Sequence, residues 1–339
     1  MYTLTLWAST PLQAVAKEHL AGHQAGMQSG DFLYSHLNKL CQFVDEAIAG
    51  QNLSTVRNQL RDFIMKNKRE NVQLASGIST LFHLQAVVLQ EGQHCLDDEY
   101  VDNVPGLKKI LEGAEGTVSK GGKMDATVPL LIKIFQIQRA CLFRQFDGIQ
   151  FCDNNLTDFI SKEKHPLRPS LLMGIFFQGL ASFQLARHSI NEAKTKWIEY
   201  GESALAKMTC WECPWNFENK ILLLEAEKMY ISGNFNQAED LYIRSIRSAH
   251  EHKFVQEEAI ASEMAGDFFY ETHCLPKSLS LFKHSIKCYI EWGALAVARR
   301  VESIVRTKFD LDSVQIGSHD DFLAFVQTQH DSSKKRADI

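Results

Sequence analysis

Two cysteines at Cys210-Trp211-Glu212-Cys213 have the spacing of a redox dithiol or of half a zinc site. The redox reading needs a βαβ setting, and no such pattern flanks the motif. The zinc reading needs a second pair of donors, and no nearby CxxC, CxxH or HxxxH supplies one. The segment therefore reads as a tight inter-helix loop whose tryptophans, Trp211 and Trp215, pack on neighbouring helices. Gly116-Thr-Val-Ser-Lys-Gly121-Gly122-Lys123-Met124 approaches a phosphate-binding loop. That loop requires Gly-x4-Gly-Lys-Ser/Thr after a buried strand. Here Lys123 falls one place late, Met124 cannot ligate magnesium, and a flexible loop is the better reading. The 13 histidines include no HExxH and no helical His-x3-His pair. His23, His83, His250 and His284 read as packing or surface residues of helices. The acidic clusters Asp97-Asp98-Glu99 and Glu257-Glu258 read as solvated helix ends, because acid/base pairs need a pocket that splits their pKa values. No catalytic, cofactor-binding or metal-binding constellation is expected.

The bulk properties suit a helical protein. A chain of 339 residues that is 45% hydrophobic is long enough for a large core. A net charge of −5 argues against a nucleic-acid surface, which needs a basic stripe. No membrane span is expected, since no run of about 18 uncharged apolar residues occurs. Met1-Tyr-Thr-Leu-Thr-Leu-Trp7 lacks the basic start and long apolar core of a signal peptide. The glycosylation triplets at Asn52 and Asn155 are then irrelevant. Scattered cysteines predict reduced, buried thiols in a cytoplasmic protein.

The apolar periodicity predicts a succession of helices. They fall at about residues 11–27, 33–50, 53–64, 74–90, 128–141, 149–160, 171–186, 191–208, two hairpins within 219–292, and 294–308. Leu33, Leu37, Leu40, Val44 and Ala47 give the second its apolar face. The strongly apolar stretch 171–186 is expected at the centre. The organisation expected is N-terminal hairpins in residues 1–102 and a Gly-rich loop in 103–124, with one short helix at 107–111. C-terminal repeats follow in 125–310, then a short helix (320–328) and disordered tail in 311–339.

The strongest pattern is a hairpin written twice, 40 residues apart. Ala238, Leu241, Tyr242, Ser245, Ile246 and Ala249 form one stripe at helical spacing. The stripe recurs as Ser278, Leu281, Phe282, Ser285, Ile286 and Tyr289. Ala226, Met229 and Tyr230 of the preceding helix likewise become Gly266, Phe269 and Tyr270. The small residues Ala226 and Gly266 would let the paired helices approach closely. Gly233-Asn234 and His273-Cys274, the latter followed by Pro276, are the turns. Residues 191–208 fit a third copy at an offset of 45. Units of this kind cannot bury both faces alone, so they stack. The fold expected is all-α, a TPR-like α-α superhelix, or solenoid of helical hairpins.

Asn219, Leu222, Glu225-Ala226-Glu227, Gly233, Ala238, Tyr242, Ile246, Ala249, Phe254, Ala259, Glu263, Phe268, Tyr289 and Trp292-Gly293-Ala294 together resemble a known pattern. It is the TPR-like region of very large signalling proteins that join a serine/threonine-kinase-like domain, an AAA/STAND-type ATPase, a GAF domain and a histidine kinase. Trp7, Pro11-Leu12, His23, Gly26, Gly30-Asp31 and Gly50-Gln-Asn-Leu53 are similar to the start of that region. The chain lacks Walker motifs, His-Arg-Asp, Asp-Phe-Gly and a histidine-kinase ATP lid, so no catalytic residue carries over. The resemblance implies a non-catalytic scaffold or regulatory module of signal transduction. Its partner would be a protein or peptide, including a kinase or ATPase domain. The alternatives are a peptide-binding adaptor of the chaperone-tail type using Asn219, Lys220 and Asn236, a helical enzyme with a dispersed site, and a fragment of a larger sensor kinase.

Overall fold

The computed structural model describes residues 7, 9–70, 73–92, 127–146, 169–210 and 213–310. The described residues form twelve α-helices and no strand: α1 (Leu12–Ser29), α2 (Phe32–Ile48), α3 (Leu53–Glu70), α4 (Gln73–Glu91), α5 (Thr127–Phe143), α6 (Pro169–His188), α7 (Asn191–Met208), α8 (Pro214–Ile231), α9 (Phe235–Glu251), α10 (Val255–Glu271), α11 (Leu275–Trp292) and α12 (Leu295–Phe309). The Gly-rich segment, the helices expected at 107–111, 149–160 and 320–328, and the tail lie outside them. Two compact units divide at Phe217/Glu218, within α8.

In the first unit α1/α2, α3/α4 and α6/α7 pair as hairpins, while α5 packs on α4 and α6. Gly30 ends α1 with φ 79°, the left-handed conformation that a side chain disfavours, and the Asp31 carboxylate accepts the Tyr34 N–H to start α2. The sequence Gly30-Asp31 is thus a stop followed by a cap. α6 buries 15 of its 20 residues, so it is a core helix, as its apolar run predicts. Its most apolar 18-residue window has a mean hydropathy of 1.3, enough to permit a membrane span, but 83% of that window is already covered by protein. Gly201 of α7 lies against the Phe183 ring of α6, and an added Cβ would sit 2.5 Å from a ring carbon. Trp7 is buried edge-on against Phe217 at 5.9 Å, and Asn216 Nδ2 donates to the carbonyls of Trp7 and Thr10 at 2.6 and 2.8 Å.

The second unit repeats its local geometry every 40 residues. All twelve residues of the two aligned stripes, on α9 and α11, are buried. Ser245 Oγ donates to the Asn219 carbonyl at 2.7 Å, and Ser285 Oγ donates to that of Ala259 at 2.8 Å. The turns match as well. Gly233 and His273 have φ 77° and 61°, and Lys253 and Gly293 have φ 62° and 92°. The same closing bond follows each of the four helices: Asn234 N–H to Met229 O (2.9 Å), Phe254 to Ala249 (2.9 Å), Cys274 to Phe269 (2.8 Å) and Ala294 to Tyr289 (2.8 Å). This bond satisfies a carbonyl that a helix end would otherwise orphan. A Cβ on Gly266 would sit 3.1 Å from the Phe282 ring, so α10 and α11 pack closely at that position.

α7 spans the range expected of a third copy, but it buries Gly201, Ala204 and Met208 while Ala193 is exposed. Ala193 therefore does not occupy the buried position that Ala238 holds. No disulfide joins the described cysteines. Cys141, Cys213 and Cys288 are buried, whereas Cys210 and Cys274 are exposed at helix ends, against the expectation that the thiols are inside.

Candidate functional site

Two places in the molecule bring unusual chemistry together, one in each unit. The first is a groove of about 840 Å³ between α1, α2 and α3. Its floor is Phe43 and Phe63, edge to face at 5.3 Å. Its rim carries Met27, Phe32 and Leu33, exposed by 47, 57 and 63%. Lys39, Lys66, His36 and Asp62 add polar groups, with Lys39 Nζ 4.8 Å over the Phe43 ring.

The groove exists because α2 is turned from the orientation its apolar stripe suggests. Of Leu33, Leu37, Leu40, Val44 and Ala47, only Leu40 is buried. The side facing inward carries Ser35, Gln42, Phe43 and Asp45. Ser35 Oγ lies 2.7 Å from His23 Nδ1, and His19 Nδ1 lies 3.0 Å from Asn38 Oδ1. Hydrogen bonds to the small, polar face of α1 fix this rotation and leave Leu33, at the start of the apolar stripe, exposed, with Leu37, Val44 and Ala47 half-buried.

Asp45 and His19 approach to 3.5 Å, but this is not an ion pair. Burial, with the neighbouring Glu46 charge, pushes the Asp45 carboxyl up to about 8. Burial pushes His19 down. Both groups are uncharged at neutral pH. In the unfolded chain Asp45 ionises near 4, so its contribution to stability is complete below about pH 4 and is lost as pH rises to 8. Asp45→Asn is expected to raise the thermal midpoint by several degrees at pH 8 and by little at pH 4.5. Equal shifts at both pH values would show that Asp45 is ionised in the fold.

The second place is a buried donor cluster on α9, α10 and α11. His284 Nε2 lies 2.7 Å from Glu258 Oε1 and 3.4 Å from Cys288 Sγ. His250 Nδ1 lies 3.2 Å from each Glu258 oxygen. The side chains of Glu258 and His284 are 6 and 1% exposed, whereas that of His250 is 44% exposed and forms the mouth. Burial alone would raise the Glu258 pKa, but hydrogen bonds from His250 and His284 outweigh it and hold the carboxylate down at about 2. Glu258 in turn raises His250. Burial first, then the Glu258 charge, pushes the Cys288 thiol well up. The raised pKa keeps Cys288 a thiol rather than a thiolate.

The expectation that Glu257-Glu258 is a solvated helix end is overturned, since both residues are buried. They stand in the first turn of α10, where the helix dipole favours carboxylates. Glu257 Oε2 accepts from Lys220 Nζ at 2.6 Å and from Asn219 Nδ2. Asn219 and Lys220 are therefore buried, and of the three adaptor residues only Asn236 is exposed. His250 and His284, expected to be packing or surface residues, join the donor cluster. His284-x3-Cys288 is the signal that was there to find, because one helical turn aligns the two donors.

The repeat-packing residues sit as follows. Ala226, Tyr230, Ala238, Tyr242, Ile246, Gly266, Phe282, Ile286, Tyr289, Trp292, Gly293 and Ala294 are buried, and Tyr270 is half-buried. Tyr242 and Tyr289 donate to Glu227 and Glu263, the latter at 3.0 Å. In the CxxC motif, Cys210 is exposed and Cys213 buried; the Gly116–Met124 loop and Asp97-Asp98-Glu99 lie outside the described residues. No protein-family model, no curated protein and no solved structure matches the chain.

Proposed function

We propose that the chain is a non-catalytic, TPR-like helical-repeat module that docks a partner protein through the groove of the first unit. The observation that carries this reading is the exposed first turn of α2, with Phe32 and Leu33 of the groove rim and the adjacent Tyr34 exposed by 57, 63 and 61%. Exposed aromatic and aliphatic side chains grouped around a concave floor are what a partner helix buries. The rim sets the partner's charge. Lys39, Lys66 and the two histidines His23 and His36 stand against the single carboxylate of Asp62. An amphipathic, acidic helix fits, its apolar side on Phe43 and Phe63. The 40-residue repetition in the second unit supports the stacked-hairpin reading. The resemblance to the repeat region of kinase and ATPase hybrids makes a cytoplasmic signalling protein the partner class.

The test is a photo-crosslinking residue at Tyr34 of the full chain, expressed in its source cells. The expected result is an adduct whose partner-side site maps to an acidic amphipathic segment and which Phe32→Ala weakens at least tenfold, about 1.4 kcal/mol. A partner carrying kinase, ATPase or GAF domains supports the signalling role, while a chaperone would favour the peptide-adaptor role. Crosslinks confined to the chain's own residues would overturn the docking reading.

A further inference from the structure

The geometry points to a zinc site formed by Glu258, His284 and Cys288, with His250 at its mouth. Three donor types suited to zinc (a thiol sulfur, an imidazole nitrogen and a carboxylate oxygen) converge with ligand atoms all within 4.8 Å of one another. Zinc bonds of about 2.0–2.3 Å set the edges of its tetrahedron at roughly 3.3–3.8 Å. The Sγ–Nε2 separation of 3.4 Å already matches such an edge. The Nε2–Oε1 separation of 2.7 Å must open by about half an ångström to admit the ion. His250 Nδ1, 3.2 Å from the carboxylate, stands outside this group of mutually close donors and holds Glu258 from the solvent side. All three ligands are buried, and the half-exposed His250 marks the entry path. A sulfur, a nitrogen and an oxygen select zinc over magnesium or calcium.

The chemistry balances simply. Cys288 releases its thiol proton to solvent, the proton that His284 Nε2 donates to Glu258 leaves that nitrogen so that His284 binds through Nε2 with its one remaining proton on Nδ1, and Glu258 is already anionic. The bound ion would join α10 and α11 and so fix the two helices of the second hairpin to each other. This differs from the absence of a metal site expected from motif spacing, because the donors come from two helices.

The test uses the full chain, freed of metal by chelator under reducing conditions and titrated with Co²⁺, then with Zn²⁺. The expected result is a thiolate-to-cobalt charge-transfer band and tetrahedral d–d bands that saturate at one ion per chain and are displaced by zinc. Zinc at a hundredfold excess over its Kd should raise the thermal midpoint by roughly 4 °C. Cys288→Ser should abolish the charge-transfer band, and His284→Gln should weaken binding at least about a hundredfold, given the losses that even supporting residues produce. Circular dichroism checks that each variant is folded, and Glu258→Gln is the substitute should Cys288→Ser not fold. Two results would overturn the site. One is wild-type protein without the bands or the rise in midpoint. The other is a charge-transfer band that persists in Cys288→Ser and so belongs to another cysteine, such as the exposed Cys210 or Cys274.

Discussion

Replacing Glu257 by alanine is expected to destabilise the second unit by about 3–5 kcal/mol, the usual cost of stranding one member of a buried ion pair. Lys220 is only 5% exposed and its Nζ contacts one Glu257 oxygen at 2.6 Å and the Phe254 ring at 4.3 Å. Burial draws the two groups toward neutrality, lowering Lys220 and raising Glu257, and their mutual attraction opposes it. Without Glu257, the ammonium keeps its desolvation cost and loses its counterion. It can escape only by releasing its proton, so the loss should be larger at pH 6 than at pH 9. The double variant Lys220→Met, Glu257→Leu removes both charges and should recover most of the stability, because the pair's attraction barely exceeds its desolvation. Urea unfolding of the full chain at the two pH values measures this. A double variant no better than Glu257→Ala would mean that packing, rather than charge, accounts for the loss.

Phe268→Ala is expected to cost a similar amount, about 3–5 kcal/mol. Its ring is 2% exposed and lies 5.1 Å from Tyr230, 5.3 Å from Tyr242 and 5.1 Å from Phe269, ring centre to ring centre. These rings come from α8, α9 and α10 itself, so a cavity here has walls on three helices and cannot close by moving one side chain. Phe235, 49% exposed at the edge of the same cluster, provides the contrast. Its alanine variant gives up little buried area and should cost about 1 kcal/mol or less. Thermal unfolding followed at 222 nm would distinguish the two. Equal losses at the two positions would show that the cluster has no centre.

How much of this was legible in the sequence varies with how each helix is buried. α9 has one inner face, and its stripe from Ala238 to Ala249 was readable residue by residue. α10 buries 13 of its 17 residues, so no polar side remains from which to read its environment. Glu257 and Glu258 then looked like any acidic first turn, although one neutralises Lys220 and the other gathers two imidazoles. On α2 the periodicity marks the helix, but its apolar stripe is not the side that faces inward. Hydrogen bonds from His19 and His23 to Asn38 and Ser35 compete with the apolar stripe, and they set the rotation.

The amino-acid sequence by itself determined the helices of the described residues, their stops at Gly30, Gly233 and Gly293, and the 40-residue recurrence of hairpin grammar. These depend on periodicity, backbone conformation and capping, which act within about one helical turn. Only the tertiary structure decided that His250, Glu258, His284 and Cys288 converge, that Lys220 and Glu257 are an internal pair, and that Leu33 is left open. Those outcomes depend on the rotation of one helix against the next. Helix rotation is set by the summed packing of residues far apart in the chain, and no local spacing encodes it.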